Sequence, residues 1–207
     1  AKDLALHIIR RLGSRGAKGH VIEFAGSAVR AMDMEARMTL CNMATELAAF
    51  SAIVAPDDTS FNYLAGRAYA PQGAVWDEAL GFWRTLVTDE DANFSAEYRF
   101  DAGDLGPMIT WGTSPQQAIP IDARIPTIGE LDLSDSRSAY DNAIAYMGVT
   151  PGSDLKTLPI DAAFIGSCTN SRISDLRRAA GLLKGSRGAA GVEGSCVPGS
   201  TQDKWRG

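Results

Sequence analysis

The stretch Phe164-Ile165-Gly166-Ser167-Cys168-Thr169-Asn170-Ser171-Arg172 constrains this chain more than any other. It joins an apolar run to a polar turn, and then to residues 171–184, where Leu176, Ala180 and Leu183 recur at helical spacing. The order strand, turn, helix puts Cys168 at the carboxyl end of a buried strand, where α/β sheets present their ligands. Gly166 lets the backbone turn sharply. Free amides and the positive end of the helix dipole there stabilise a thiolate, the form that binds metal or attacks carbon. Metal ligand and nucleophile both stay open at this point, beside the plain reading of a small residue fitted to a tight turn.

Elsewhere the pattern alternates between helix and strand. Residues 3–12 carry Leu4, Ile8 and Leu12 on one side and end at Gly13; a loop follows, then a short buried strand at 21–24. Asp33 caps a long helix over 34–50, which contains neither glycine nor proline. Residues 51–55 read as a strand, Pro56 to Thr59 open a helix that reaches Leu64, and 74–86 form another with Trp76, Leu80 and Trp83 on one stripe. Strands are expected at 98–100 and 108–111. Pro120, Pro126 and weak periodicity make 119–133 a linker, with a boundary near Arg124. A helix over 136–147 and a buried strand at 162–165 complete an α/β chain with a parallel or mixed sheet in each half. The expected domains are residues 1–124, with the 34–50 helix, and 125–207, the start of a second α/β domain carrying Cys168.

Composition removes several function classes. With 25 acidic against 20 basic side chains the net charge is -5, so no basic field gathers nucleic acid. No apolar run approaches the roughly 20 residues that cross a bilayer, and Ala1-Lys2-Asp3 lacks the layout of a secretion signal, which points to no membrane and a cytoplasmic location. Cys41, Cys168 and Cys196, odd in number and far apart, suit a reducing compartment. Cys41 and Cys196 sit in apolar context and read as small hydrophobes. His7 and His20 read as a surface and a packed residue, which leaves a hydrolase built on Cys168 without an evident base. The glycines at 13, 16, 19, 185, 188 and 191 lack the spacing of a nucleotide loop.

The string from Gly166 to Arg172 resembles the signature by which enzymes of the aconitase superfamily supply the first cysteine ligand of a 4Fe-4S cluster. Further blocks agree in order: Val21-Ile22-Glu23-Phe24-Ala25-Gly26, Met38-Thr39-Leu40-Cys41-Asn42-Met43, Val54-Ala55-Pro56-Asp57, Thr110-Trp111-Gly112-Thr113-Ser114-Pro115 and Val197-Pro198-Gly199-Ser200. They span about residues 2–200, and two of them are more similar to isopropylmalate isomerases than to true aconitases. The resemblance implies aconitase-like three-layer α/β/α units and a hydro-lyase that interconverts 2- and 3-isopropylmalate, a hydroxy di-acid pair of leucine biosynthesis, by dehydration and rehydration. It implies that Cys168 is a cluster ligand and that Asn170 and Ser171 help to set the cluster loop. Asn42 would hydrogen-bond near the cluster and Glu46 would act on the iron-bound water. The cluster's open iron would serve as Lewis acid, with a small subunit as partner carrying the serine base. Asn42 and Glu46 stand four apart on the expected helix and so share a face; a partly solvated helix face is the plain alternative.

The family's downstream Cys-x-x-Cys pair and substrate arginines, and its upstream Gly-Asp-Ser-His-Thr motif, do not occur in this chain, and residues 201–207 depart from the family pattern. The expectation is an internal fragment of a large subunit, inactive and unable to hold a stable cluster alone. A homoaconitase, another 2-hydroxyacid hydratase of the superfamily, or a cluster-free RNA-binding module are the alternatives.

Overall fold

In the computed structural model, which describes residues 1–131 and 136–206, helix α1 (Lys2–Leu12) opens the chain and stops at Gly13. Its apolar side buries Leu4, Ala5, Ile8 and Ile9 against Leu40, Met43 and Leu47. Those partners come from helix α3 (Met34–Met43) and the tighter 3-10 turn Ala44–Leu47 that continues it. Strand β1 (Val21–Glu23), the short helix α2 (Ser27–Arg30), α3 and strand β2 (Ser51–Ile53) form a strand-helix-strand unit in which β1 and β2 pair in parallel, Val21 opposite Ser51.

The helix expected over 34–50 is therefore shorter, and its end has a tertiary cause. The Ala17 N–H donates to the Leu47 carbonyl at 3.0 Å and the Phe50 N–H to the His20 carbonyl at 2.9 Å, so the chain must leave the helix in time to enter β2 in register. Ala48 makes the exit in the left-handed region, φ 59°. The Ala49 N–H reaches the Ala44 carbonyl and the Ala48 N–H the Thr45 carbonyl, the bonds of a Schellman stop built on alanine instead of glycine.

Helix α4 (Asp58–Leu64) starts as expected, because the Asp57 carboxylate accepts the amides of Thr59 and Ser60. The same carboxylate binds Arg37 from α3, with Nη1 at 2.7 Å and Nη2 at 2.8 Å. Arg37 also donates to the carbonyls of Met32 and Arg30, which ties α3, the end of α2 and the start of α4 into one knot. On helix α5 (Ala74–Trp83), Trp83 stacks on Phe61 of α4 and meets Trp76 edge to face.

Three expectations about this half are corrected. Residues 98–100 form no strand; Phe100 instead packs on the α1 core and meets the His7 ring edge to face at 5.8 Å. Val21 of β1 is exposed, since among the described residues two strands pair there with no third beside them. The stretch expected as a linker holds strand β4 (Ala118–Pro120), antiparallel to β3 (Met108–Thr110), with Ala118 and Ile119 buried. Residues 132 and 133 of that stretch lie outside the described residues. Between the two strands, the Gln117 Oε1 accepts the amides of Thr113 and Ser114, and this gives the Thr110-to-Pro115 block its shape.

The chain divides into the units Ala1–Gly152 and Ser153–Gly207, later than the boundary near Arg124. Ile125 is fully buried, the Gly152 N–H donates to its carbonyl, and Tyr140 of helix α6 (Arg137–Met147) packs on Trp111 while its hydroxyl donates to the Pro126 carbonyl. These contacts hold 125–152 to the first unit. The second unit is strand β5 (Ala162–Ile165), helix α7 (Ile173–Leu183), strand β6 (Glu193–Cys196) and helix α8 (Thr201–Arg206), with β5 and β6 parallel. The α/β reading holds, and among the described residues two of the three two-stranded sheets are parallel. β5 is exposed where a buried strand is expected, and Ala180 and Leu183 of α7 are exposed too, because the β5–β6 sheet gains no third strand among the described residues. Among those residues no helix is long and apolar enough to cross a membrane.

The Arg37 hydrogen bond holds the Asp57 carboxyl below its ordinary range. A depressed folded-state pKa contributes stability above the unfolded value, near 3.8, and that contribution is lost as pH falls through the lower folded value. Chemical denaturation should therefore show stability declining below about pH 4, with Asp57→Asn flattening part of that decline. At neutral pH, Asp57→Ala should cost about 3 kcal/mol, because the Arg37 side chain, 3% exposed, keeps its charge without its counter-ion.

Candidate functional site

The cysteine turn is built where strand β5 hands over to helix α7. After Ile165 the chain passes Gly166, Ser167 and Cys168 and enters the helix after Arg172, which stands at the N-cap. The Cys168 side chain is exposed and its sulfur lies 3.7 Å from the Thr169 hydroxyl. The Thr169 N–H donates to the Ser167 hydroxyl at 3.1 Å, which folds the turn back on itself. Cys168 stands ahead of the helix, off its first turn, where the helix field is strongest.

Gly166 serves a different purpose from the expected one. Its φ is not positive, and a Cβ there would run into the Phe164 ring, so the glycine leaves room for a neighbour.

The helix start is capped from within. The Asp175 carboxylate accepts the Arg172 N–H at 3.1 Å and receives the Asn170 side-chain amide at 3.4 Å and 3.5 Å. Ser171 is buried, at φ 71°, and its carbonyl accepts the Gly199 N–H at 2.8 Å. Asn170 thus reaches the cap through Asp175, and Ser171 takes no N-cap position. Gly199 belongs to a block whose local function the sequence left open; no local pattern marks it, because its partner lies far away in the chain.

In the first unit, Asn42 is exposed near the end of α3 and Glu46 is exposed on the 3-10 turn that follows. The Asn42 carbonyl accepts the Thr45 hydroxyl at 2.9 Å. The tighter winding from Met43 onward turns Glu46 by roughly 60° away from where an uninterrupted α-helix would carry it. The two side chains therefore share a face less closely than the spacing implies. The site residues of the two halves fall in separate units, Asn42 and Glu46 in one, Cys168, Asn170 and Ser171 in the other.

The other cysteines and histidines divide by environment. Burial pushes the Cys41 thiol up, as suits a packed small residue. Cys196 is exposed on β6, contrary to the expected apolar packing, because all four residues of that strand are open to solvent. The histidines reverse the expectation: His7 is half-buried against Phe100, where burial, then the nearby Arg11 and Arg10, lowers its pKa, and His20 lies at the surface. Among the described residues no group of three or more His, Cys, Asp or Glu side chains could hold a metal ion. Cys168 fits one corner of a cluster, as an accessible soft donor on a short turn.

The aconitase family model (aconitate hydratase) matches residues 1–204. The 3-isopropylmalate dehydratase large subunit of Roseiflexus castenholzii is 53% identical over 204 residues, which is 99% of this chain and 43% of that protein. The chain thus spans less than half the length of that relative.

Removal of the cap acceptor by Asp175→Ala should cost about 1 kcal/mol and fray the first turn of α7. Hydrogen exchange should show the loss at the Arg172 amide while α1 and α3 keep their protection.

Proposed function

The chain belongs to the aconitase family, and we propose that it is part of the large subunit of an iron-sulfur hydro-lyase that interconverts 2- and 3-isopropylmalate in leucine biosynthesis. The observation that carries this reading is the exposed Cys168 on a strand-to-helix turn, within a chain more than half identical to a 3-isopropylmalate dehydratase large subunit. The proposed setting is the cytoplasm, with a small subunit as partner.

A 4Fe-4S cluster, when bound, would supply the Lewis acid that eases departure of hydroxide from a hydroxy di-acid. Cys168 would hold one iron, and Asn170 and Ser171 would keep its turn in shape. Asn42 would contribute a hydrogen bond to the polar surroundings of the site, and Glu46 would hold or move a proton of water there. On this reading Cys168 would be one anchor of a cluster whose other ligands come from elsewhere in the parent protein.

The test replaces the matched stretch of the Roseiflexus castenholzii protein by this chain and supplies that enzyme's small subunit. The chimera is expected to interconvert 2- and 3-isopropylmalate. Cys168→Ala should remove both visible cluster absorption and turnover, and Glu46→Gln should lower kcat by about 100-fold. This chain alone, treated anaerobically with iron and sulfide, should hold no stable cluster. A cluster on the isolated chain overturns the fragment reading, and turnover of a longer hydroxy acid in preference to isopropylmalate overturns the substrate assignment.

A further inference from the structure

The second unit contains a contact that a strand-turn-helix motif does not require. β6 runs beside β5 with Cys196 opposite Ile165, and the ladder extends one step, from the Val197 N–H to the Ile165 carbonyl at 2.9 Å. Two residues later the same segment meets the cysteine turn again, where the Gly199 N–H donates to the Ser171 carbonyl at 2.8 Å. Residues 166–171 are thus clasped at both ends by 197–199.

Glycine at 199 answers to closeness and not to backbone freedom, since its φ is not positive. A Cβ there would stand 2.9 Å from the Ser171 carbonyl oxygen, 3.3 Å from its carbon and 3.4 Å from the Asn170 carbonyl oxygen. All three are backbone atoms, so no side-chain rotation relieves the crowding. Ser171, on the other side of the contact, holds a left-handed conformation, φ 71°, that residues other than glycine rarely adopt. Such a conformation persists only where its surroundings enforce it, and the Gly199 bond is a tertiary contact that holds Ser171 there.

We propose that Gly199 is a positioning residue whose backbone latches the Cys168 turn, fixing the conformation of Ser171 and, through it, the presentation of the Cys168 thiol. The use of that thiol as an iron ligand rests on the function proposed above; the latch itself does not.

Gly199→Ala in this chain is the first test. The amide at position 199 should exchange at least about 10-fold faster, and iodoacetamide should alkylate Cys168 about 3-fold faster or more. Cys41 and Cys196 should keep their rates. In the chimera described above, Gly199→Ala should speed loss of iron by about 10-fold, in the range seen when residues that orient metal ligands are altered. Wild-type exchange and alkylation in Gly199→Ala would overturn the latch whatever the iron content. A Cys196 rate rising together with that of Cys168 would make Gly199 a general folding residue and overturn it equally. An unsubstituted chimera that binds no iron would instead overturn the proposed function, with exchange and alkylation still deciding the latch.

Discussion

The guanidinium of Arg37 is sealed from solvent inside the first unit and spends its donors on four hydrogen bonds, two to the Asp57 carboxylate and one each to the carbonyls of Met32 and Arg30. A buried charge is costly unless it is paired and fully hydrogen-bonded, so these partners must be in place together. That requirement sets the end of α2, the direction of α3 and the start of α4 relative to one another. It also explains why Asp57 terminates the Val54-to-Asp57 block: one carboxylate both caps α4 and neutralises α3's arginine. The planar fork of arginine suits this geometry, and a lysine could not reach two carboxylate oxygens and two carbonyls at once.

From that frame the chain places Asn42 and Glu46 near the close of α3. The stop at Ala48 matters as much as the helix, because it sends the chain into β2 and leaves Glu46 on a 3-10 turn. In the second unit a parallel strand pair again enters a helix through a short turn, and Cys168 sits in that turn. The two halves use the same device, parallel strands joined across a helix, and the residues proposed for the site lie beside a helix end in each.

Much of this was legible from residues alone where the cause is local. Asp33 accepts an amide of the turn it precedes, and Asp57 does the same for α4. The Cys168 turn is a local pattern as well: an apolar run, a polar turn and a helix-forming stretch. What misled the reading is equally specific. Residues 34–50 contain no breaker, yet the helix stops at Met43 because hydrogen bonds from Ala17 and Phe50 require it. The prolines at 120 and 126 suggested a linker, yet Ile119 and Ile125 are core residues. Apolar composition suggested burial for Cys196 and β5, yet composition does not say how many strands will flank a sheet.

The amino-acid order by itself determined the helix starts, the strand-turn-helix around Cys168 and the α/β character, because caps, turns and periodicity act over a few residues. The unit boundary, the winding under Glu46, the exposure of Cys196 and the meeting of Gly199 with Ser171 were decided by the tertiary structure. Each depends on which distant backbone groups find one another, and hydrogen bonds between residues far apart in the chain leave no local trace in its composition.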